Sequence, residues 1–280
     1  MRNVAAPTQV PPHPAERYSA GYGTAVLQDL SRRKASRDAA FLLPHLRPGI
    51  RLLDCGCGPG YLTVDLAEIL SPGEVVGLDM GAEQLEVGRA LARSRDVNNI
   101  RFEAGTVYKL PFPDSSFDAV LAHALLYHLA SPQQALAELF RVLKPGGVLG
   151  VRDACTDSDI VTPATPELEK AWKLLSRSVG HNGGNTLLGK KLRPLLREAG
   201  FTNILVSASF DTYGTPEETR KMGATVAELL TQPQIAGVVI EKGLATAEEL
   251  GAISQAFRVW GDHPDAFCAR ARCEAVGWKP

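Results

Sequence analysis

Apolar residues in the first part of the chain recur at two different periods, and the alternation between them predicts the architecture. Residues 1–16 hold Pro7, Pro11, Pro12 and Pro14, too many for a helix or a central strand, and read as a mobile tail. Helical stretches follow at about 24–33 and 36–46; in the second, Ala39, Leu42, Leu43 and Leu46 share one face. After Pro48-Gly49 the pattern becomes short apolar runs separated by helical ones. Strands are predicted at 50–55, 74–78, 100–103, 117–122 and 148–152, with helices at 62–70, 82–95 and 132–143 between them. Apolar strands alternating with helices of this length make βαβ units, hence a parallel sheet covered on both faces.

Beyond residue 163 the alternation loosens. A helix near 166–179 precedes the polar loop His181–Asn185, which suits either a mobile pocket wall or a surface turn. A helix at 188–199 leads to a strand at 201–210. Residues 212–263 read as three helical pieces, a lid over a pocket or a dimer interface, and 266–278 as a last strand. The expected organisation is a tail (1–16), an N-terminal helical cap (17–47), an α/β domain (48–211), a helical insertion (212–263) and the final strand (264–280). Trp260 and Trp278 read as core or interface residues.

Composition narrows the function. Of 280 residues 22% are charged and 45% apolar, and the formal net charge is −1, the balance of an ordinary globular protein without the basic face of a nucleic-acid binder. The Arg32-Arg33-Lys34 run with Arg37 reads as the solvated side of an early helix. Five cysteines, an odd number with no framework spacing and no secretory segment before them, suit reduced thiols in the cytosol and no metal site. No apolar stretch reaches the roughly 18 residues of a membrane span.

The candidate chemistry lies at Leu52-Leu53-Asp54-Cys55-Gly56-Cys57-Gly58-Pro59-Gly60, where a strand passes into a helix. Open α/β sheets bind ligands there, beyond the carboxyl ends of the strands. A dinucleotide fingerprint counted from Gly56 would need glycine at Tyr61, and the Lys-Ser/Thr pair of a phosphate loop is missing. Asp54, two residues before the first glycine, opposes a pyrophosphate but suits a ligand carrying an ammonium and a sulfonium, as S-adenosylmethionine does. Asp79 ends the second strand, where a carboxylate can accept from both hydroxyls of a ribose, and Met80 follows it against the base.

These segments, with Leu110-Pro111-Phe112, Phe117-Asp118-Ala119-Val120 and Arg141-Val142-Leu143-Lys144-Pro145-Gly146-Gly147, resemble the UbiE-like branch of the class I S-adenosylmethionine methyltransferases over about residues 48–153. The resemblance implies a Rossmann-like, doubly wound, seven-stranded and mainly parallel sheet whose last strand is antiparallel. It implies S-adenosylmethionine as cofactor, S-adenosylhomocysteine as product, and a small-molecule acceptor methylated on carbon, oxygen or nitrogen. Asp54, Gly56, Cys57 and Gly58 would surround the methionine portion, Asp79 the ribose and Met80 the adenine. Thr106 stands where the family usually has an aspartate, its hydroxyl still able to accept from the adenine amino group, with the Val107 amide serving the ring. Tyr18 and Tyr22 could fold over the cofactor. His123 and His128 follow the fourth strand, where each could act as a general base; the competing roles are a hydrogen bond from His123 to the methionine end and a loop-stabilising one for His128. Arg152-Asp153 reach the same edge, as substrate contacts or as a solvated ion pair or cap. A homodimer or a higher homo-oligomer is compatible with the chain. The alternatives are methylation coupled to cyclisation, or a cofactor-binding partner subunit without activity.

Overall fold

The computed structural model describes Tyr18, Gly21 and residues 23–280; the expected tail and Tyr22 lie outside the described residues. In chain order the elements are α1 (Thr24–Leu30), α2 (Ala35–Asp38), β1 (Leu52–Cys55), α3 (Tyr61–Leu70), β2 (Val75–Asp79), α4 (Ala82–Ser94), β3 (Ile100–Ala104), β4 (Phe117–His123), α5 (Pro132–Val142), β5 (Leu143–Ala154), β6 (Ile160–Thr162), α6 (Pro166–His181), α7 (Leu192–Glu198), β7 (Thr202–Tyr213), α8 (Pro216–Thr231), α9 (Pro233–Glu241), α10 (Ala247–Gly261) and β8 (Phe267–Trp278).

β1 and β2 are buried at every position, which is why they read as unbroken apolar runs and not as alternating ones. The sheet order is β3-β2-β1-β4-β5-β8-β6, with β7 also paired to β8. β1 to β5 run parallel, and β8 is antiparallel to β5, β6 and β7. One apolar core lies on the face covered by α5 and α7, around Leu136, Leu139 and Leu196; the other lies under α3 and α4, around Leu66, Leu70 and Leu85. The strand order reverses between β1 and β4, so the crevice of this sheet opens at Cys55 and His123.

Three expectations change. The sheet has eight strands, because Ile160–Thr162 adds a short antiparallel edge to β8. The helix expected at 36–46 is one turn, α2, followed by turns and a 3₁₀ turn at Leu43–His45; Pro44 has no amide to continue the ladder. The helix expected at 188–199 divides into a 3₁₀ turn, Leu188–Lys191, and α7.

The insertion forms the three predicted helices. Capping boxes start α8 at Thr215 with Glu218, and α10 at Thr246 with Glu249. Its core joins Met222, Val226 and Leu230 to Ile253, Phe257 and Trp260 and to Leu168 and Leu174 of α6. α8 also grips the N-terminal segment. Glu228 accepts from the Ala25 amide at 3.3 Å, and Arg32 pairs with Glu218 at 2.8 Å.

Candidate active site

The turn after β1 is built on three glycines in the left-handed region, Gly56 (φ 76°), Gly58 (φ 53°) and Gly60 (φ 75°), and they serve two different needs. A Cβ on Gly56 would stand 2.8 Å from Leu125, and one on Gly60 would stand 2.6 Å from the Phe102 ring. Those two glycines let the turn pack. A Cβ on Gly58 would have no atom within 4 Å, because this glycine borders open space. Its amide donates to Asp79 Oδ2 at 2.8 Å, and the Gly81 amide donates to Oδ1 at 2.8 Å. The carboxylate is thus clamped at the end of β2.

A cavity of about 290 Å³ opens beside this turn. Gly56, Gly58, Asp79 and Met80 line it from the first two strands, Thr106 and Val107 from the turn after β3, and Leu125, Tyr127 and His128 from the segment after β4. Tyr18, Leu30 and Arg33 close the remaining side. A smaller pocket shares Leu30, Arg33, Gly56 and Pro59 with it and adds Asp54, Cys57 and His123. The two spaces together meet every described residue expected from the sequence to surround a cofactor. Met80 is 66% exposed, and Cys57, which borders the smaller pocket, also belongs to the core under α3. No described residue of 212–263 lines either space, so the expected lid reaches the cavity only through its hold on the N-terminal segment.

The electrostatics of the smaller pocket are strongly shaped. Asp54 is buried and accepts from Thr63 Oγ1 at 2.6 Å; burial pushes its carboxyl up to about 6, against the pull of Thr63 and Arg33. His123 Nε2 lies 3.1 Å from a guanidinium nitrogen of Arg152. Arginine only donates, so Nε2 accepts and the neutral ring carries its proton on Nδ1. That Nδ1 is buried and has no partner. Burial, then Arg33 and Arg152, hold the His123 pKa well below its ordinary value.

Arg152 is 1% exposed and is the hub of a buried network. It reaches Asp211 at 2.7 Å, Glu274 at 3.3 Å, Asp38 at 3.5 Å and Ser209 at 3.0 Å. Arg272 holds the other Asp211 oxygen at 2.7 Å. Burial would raise the Asp211 carboxyl, but Arg272 and Arg152 override it and hold the group well below the carboxylate range.

On the far wall, Tyr127 and His128 sit in the 3₁₀ turn Leu126–His128. The His128 ring lies 3.8 Å from the Tyr127 ring and 5.0 Å from that of Tyr18. Burial, then Arg33 and Arg272, bring His128 down to about 3. Gly183 and Gly184 back this turn: a Cβ on Gly184 would stand 2.5 Å from the Tyr127 carbonyl, and one on Gly183 2.7 Å from Ala130. Loop 181–185 is therefore a packed support for the wall. Among the described residues, no group of three His, Cys, Asp or Glu side chains is placed to hold a metal ion, and no helix is long and apolar enough to cross a membrane.

The methyltransferase-domain family matches residues 46–200, more than half of the chain. A probable methyltransferase from Aspergillus luteorubrus is 32% identical, with 94% of this chain and 97% of that protein aligned. The chain belongs to the class I S-adenosylmethionine methyltransferases. A demethylmenaquinone methyltransferase from Symbiobacterium thermophilum is 43% identical over 37% of this family member and 42% of its own length. The solved structure of the [4+2]-cyclase SpnF matches 91% of this chain and 81% of its own at 26% identity, with a TM-score of 0.50.

Two readings of the sequence need correction in this family member. Arg152 and Asp153 are wholly buried, so they are not a solvated pair, and neither lines the two spaces. The basic run at 32–34 is solvated only at Lys34. Arg32 pairs with Glu218 and stacks over Tyr213. Arg33 lines both pockets, and its guanidinium has no hydrogen-bond or ion-pair partner among the described residues. No local period marks Arg33, which stands three residues beyond the end of α1, in the irregular link to α2.

Proposed function

We propose that this protein transfers a methyl group from S-adenosylmethionine to a small-molecule acceptor by in-line displacement. The observation that carries the reading is the pairing of two unlike spaces at one glycine turn. One is bounded by the clamped Asp79 and by Thr106 and Val107, and the other by the opposed charges Asp54 and Arg33.

The residues fit the cofactor piece by piece. Asp79 keeps lone pairs for the two ribose hydroxyls. Thr106 and the Val107 amide face the adenine edge, and Met80 its ring. The absence of any atom within 4 Å of a Gly58 Cβ leaves room for the backbone of the turn to meet the ligand. Asp54 takes the ammonium of the methionine portion, and Arg33 and the orphaned Nδ1–H of His123 take its carboxylate. Charge-assisted hydrogen bonds of this kind contribute about 1.5–3 kcal/mol each when shielded from water. When bound, the cofactor supplies an electrophilic methyl on a positively charged sulfur. The protein's part is then to hold both reactants in line and exclude water, which can lower a bimolecular barrier by about 7–11 kcal/mol. His123 has no free lone pair for base catalysis, so its role in this reading is that of a binding donor.

Isothermal calorimetry with S-adenosylmethionine and S-adenosylhomocysteine tests the proposal: both bind, and Asp79→Ala weakens binding by about tenfold or more. The likeness to a cyclase favours one second reading, in which the cofactor is held while the acceptor is cyclised. Release of S-adenosylhomocysteine in step with consumption of an acceptor supports transfer. Consumption without that release supports cyclisation, and cofactor binding with no acceptor consumed supports a partner subunit.

A further inference from the structure

Arg270 is a deep cation without a hydrogen-bond acceptor among the described residues. Burial is the largest influence on its pKa, yet 23% of its side chain stays accessible; a side chain that is both deep and accessible borders a cleft. Two carboxylates stand near it and neither serves it. Asp211 is directly opposite Arg270 in the β7–β8 ladder, the place for a cross-strand ion pair. Its two oxygens go instead to Arg152 and Arg272, each at 2.7 Å. Asp159 Oδ1 accepts from the Ala271 amide at 2.7 Å, and its Oδ2 stays 3.7 Å from Arg270 Nε, beyond hydrogen-bond distance. The guanidinium carbon lies 5.3 Å from the Trp172 ring centre, a contact that steadies the fork without using its N–H groups.

Arg272 lies two residues along, on the same face of β8. It donates from Nε to Asp211, and its two terminal nitrogens have no acceptor among the described residues. Both arginines stand on the reaction side of the sheet. Arg272 is paired with Ala154, the last residue of β5, so Arg270 lies just beyond the carboxyl edge where ligands of such sheets sit. Burial pushes the Tyr127 phenol up, and Arg272 and then Arg270 are the cations that oppose it most. Tyr127 is a wall of the large cavity, so the pair stands behind that wall, and Arg270 lines neither cofactor space. A deep guanidinium without a hydrogen-bonded partner is costly. Its planar fork matches a carboxylate through two parallel bonds; an amide offers one acceptor, and an ammonium is repelled.

We infer that Arg270, assisted by Arg272, determines acceptor specificity: the acceptor carries a carboxylate that docks on the Arg270 fork, with its methyl-accepting end directed past Tyr127 to the cofactor sulfur. This rests on the cofactor reading above, in which Arg33 is taken by the methionine carboxylate. The molecule then has two separate anion sites, one for the cofactor and one for the acceptor.

The test is calorimetry at neutral pH on the full chain saturated with S-adenosylhomocysteine, so that Arg33 is occupied. Benzoate, benzamide and benzylamine serve as anionic, neutral and cationic probes of one shape. Benzoate is expected to bind at least about tenfold more tightly than either of the others, and to change the fluorescence of Trp172, a change absent in Trp172→Phe. Arg270→Met is expected to cut the preference to about threefold or less, and Arg270→Lys, which keeps the charge and loses the fork, to leave an intermediate one. Both variants should hold S-adenosylhomocysteine within about twofold of wild type, since the two sites are apart; that affinity is the control for folding. Equal or tighter binding of benzamide or benzylamine, no binding of benzoate to the wild type, or an unchanged preference in Arg270→Met overturns the inference while the cofactor reading stands. Failure of S-adenosylhomocysteine to bind the well-folded wild type removes both.

Discussion

Arg152 donates to Nε2 of His123 across 3.1 Å, with both side chains buried. That contact joins the cofactor end of β4 to a network whose other members, Asp38, Asp211 and Glu274, come from α2, β7 and β8. Removing one partner from such a network leaves buried charges without compensation, which costs about 3–5 kcal/mol. Arg152→Met is therefore expected to lower the unfolding free energy by about that much, read as a drop in the urea midpoint. A loss below about 1 kcal/mol would show that the carboxylates find other partners.

The same contact fixes which nitrogen of His123 carries the proton. An asparagine can offer an amide N–H near the place of Nδ1, whereas leucine offers none. His123→Asn is expected to hold S-adenosylhomocysteine within about threefold of wild type, and His123→Leu to lose about tenfold. Equal losses would mean that the ring contributes packing and not a donor.

Most of the fold was legible in the sequence because the elements that matter are buried on both faces or amphipathic. β1 and β2 are apolar throughout, and α8 and α10 announce themselves with Thr215/Glu218 and Thr246/Glu249. The place of Asp79 at the end of β2, beside the glycine turn, was legible too, since strand ends and glycine turns have local signatures; the two amides that clamp it were not. What escaped was long-range. Asp38, Asp211 and Glu274 converge on Arg152 from segments far apart in the chain, and no local period marks a charge that is neutralised from elsewhere. Arg33 was hidden for a related reason. A basic run looks solvated until the next element, here α8, is known to cover its flank.

Asp54 gives a pH dependence. Its free-state carboxyl is raised to about 6 by burial, so the isolated group favours the folded protein in its protonated form, below its ordinary pKa, and that contribution is lost as the pH rises through about 6. Binding has the opposite sign, because an ammonium ligand requires the ionised carboxylate. Cofactor affinity should be flat above about pH 7 and fall up to about tenfold per unit below pH 6, one unit corresponding to about 1.36 kcal/mol. Calorimetry from about pH 5 to 8 checks this, and Asp54→Asn should remove the slope. A flat profile in the wild type would take Asp54 out of contact with the ammonium.

Gly58 and Gly60 separate binding from folding. Alanine at either adopts a left-handed backbone at a cost of about 1–2 kcal/mol. At Gly60 the new Cβ also meets Phe102 at 2.6 Å and Gly88 at 3.2 Å, adding about 1–3 kcal/mol of overpacking. Gly60→Ala should therefore be the less stable variant in urea. Gly58→Ala should fold well yet lose at least about tenfold in cofactor affinity, because its Cβ enters the space the ligand needs. The reverse order of effects would assign the open side of the turn to the wrong glycine.

Arg33 is the sharpest case, because it stands at the junction of both spaces and has no protein partner among the described residues to lose. A cation that stabilised the fold would be paired; one kept partly buried and unpaired is placed for a ligand. Arg33→Met preserves length and much of the packing of the stem, so its effect on the urea midpoint should correspond to less than about 0.5 kcal/mol. Loss of a charge-assisted contact to a carboxylate should weaken S-adenosylhomocysteine by about ten- to a hundredfold. Decarboxylated S-adenosylmethionine, which lacks that carboxylate, should bind wild type and Arg33→Met alike. If it discriminates between them as strongly as S-adenosylhomocysteine does, the guanidinium acts on some other part of the ligand.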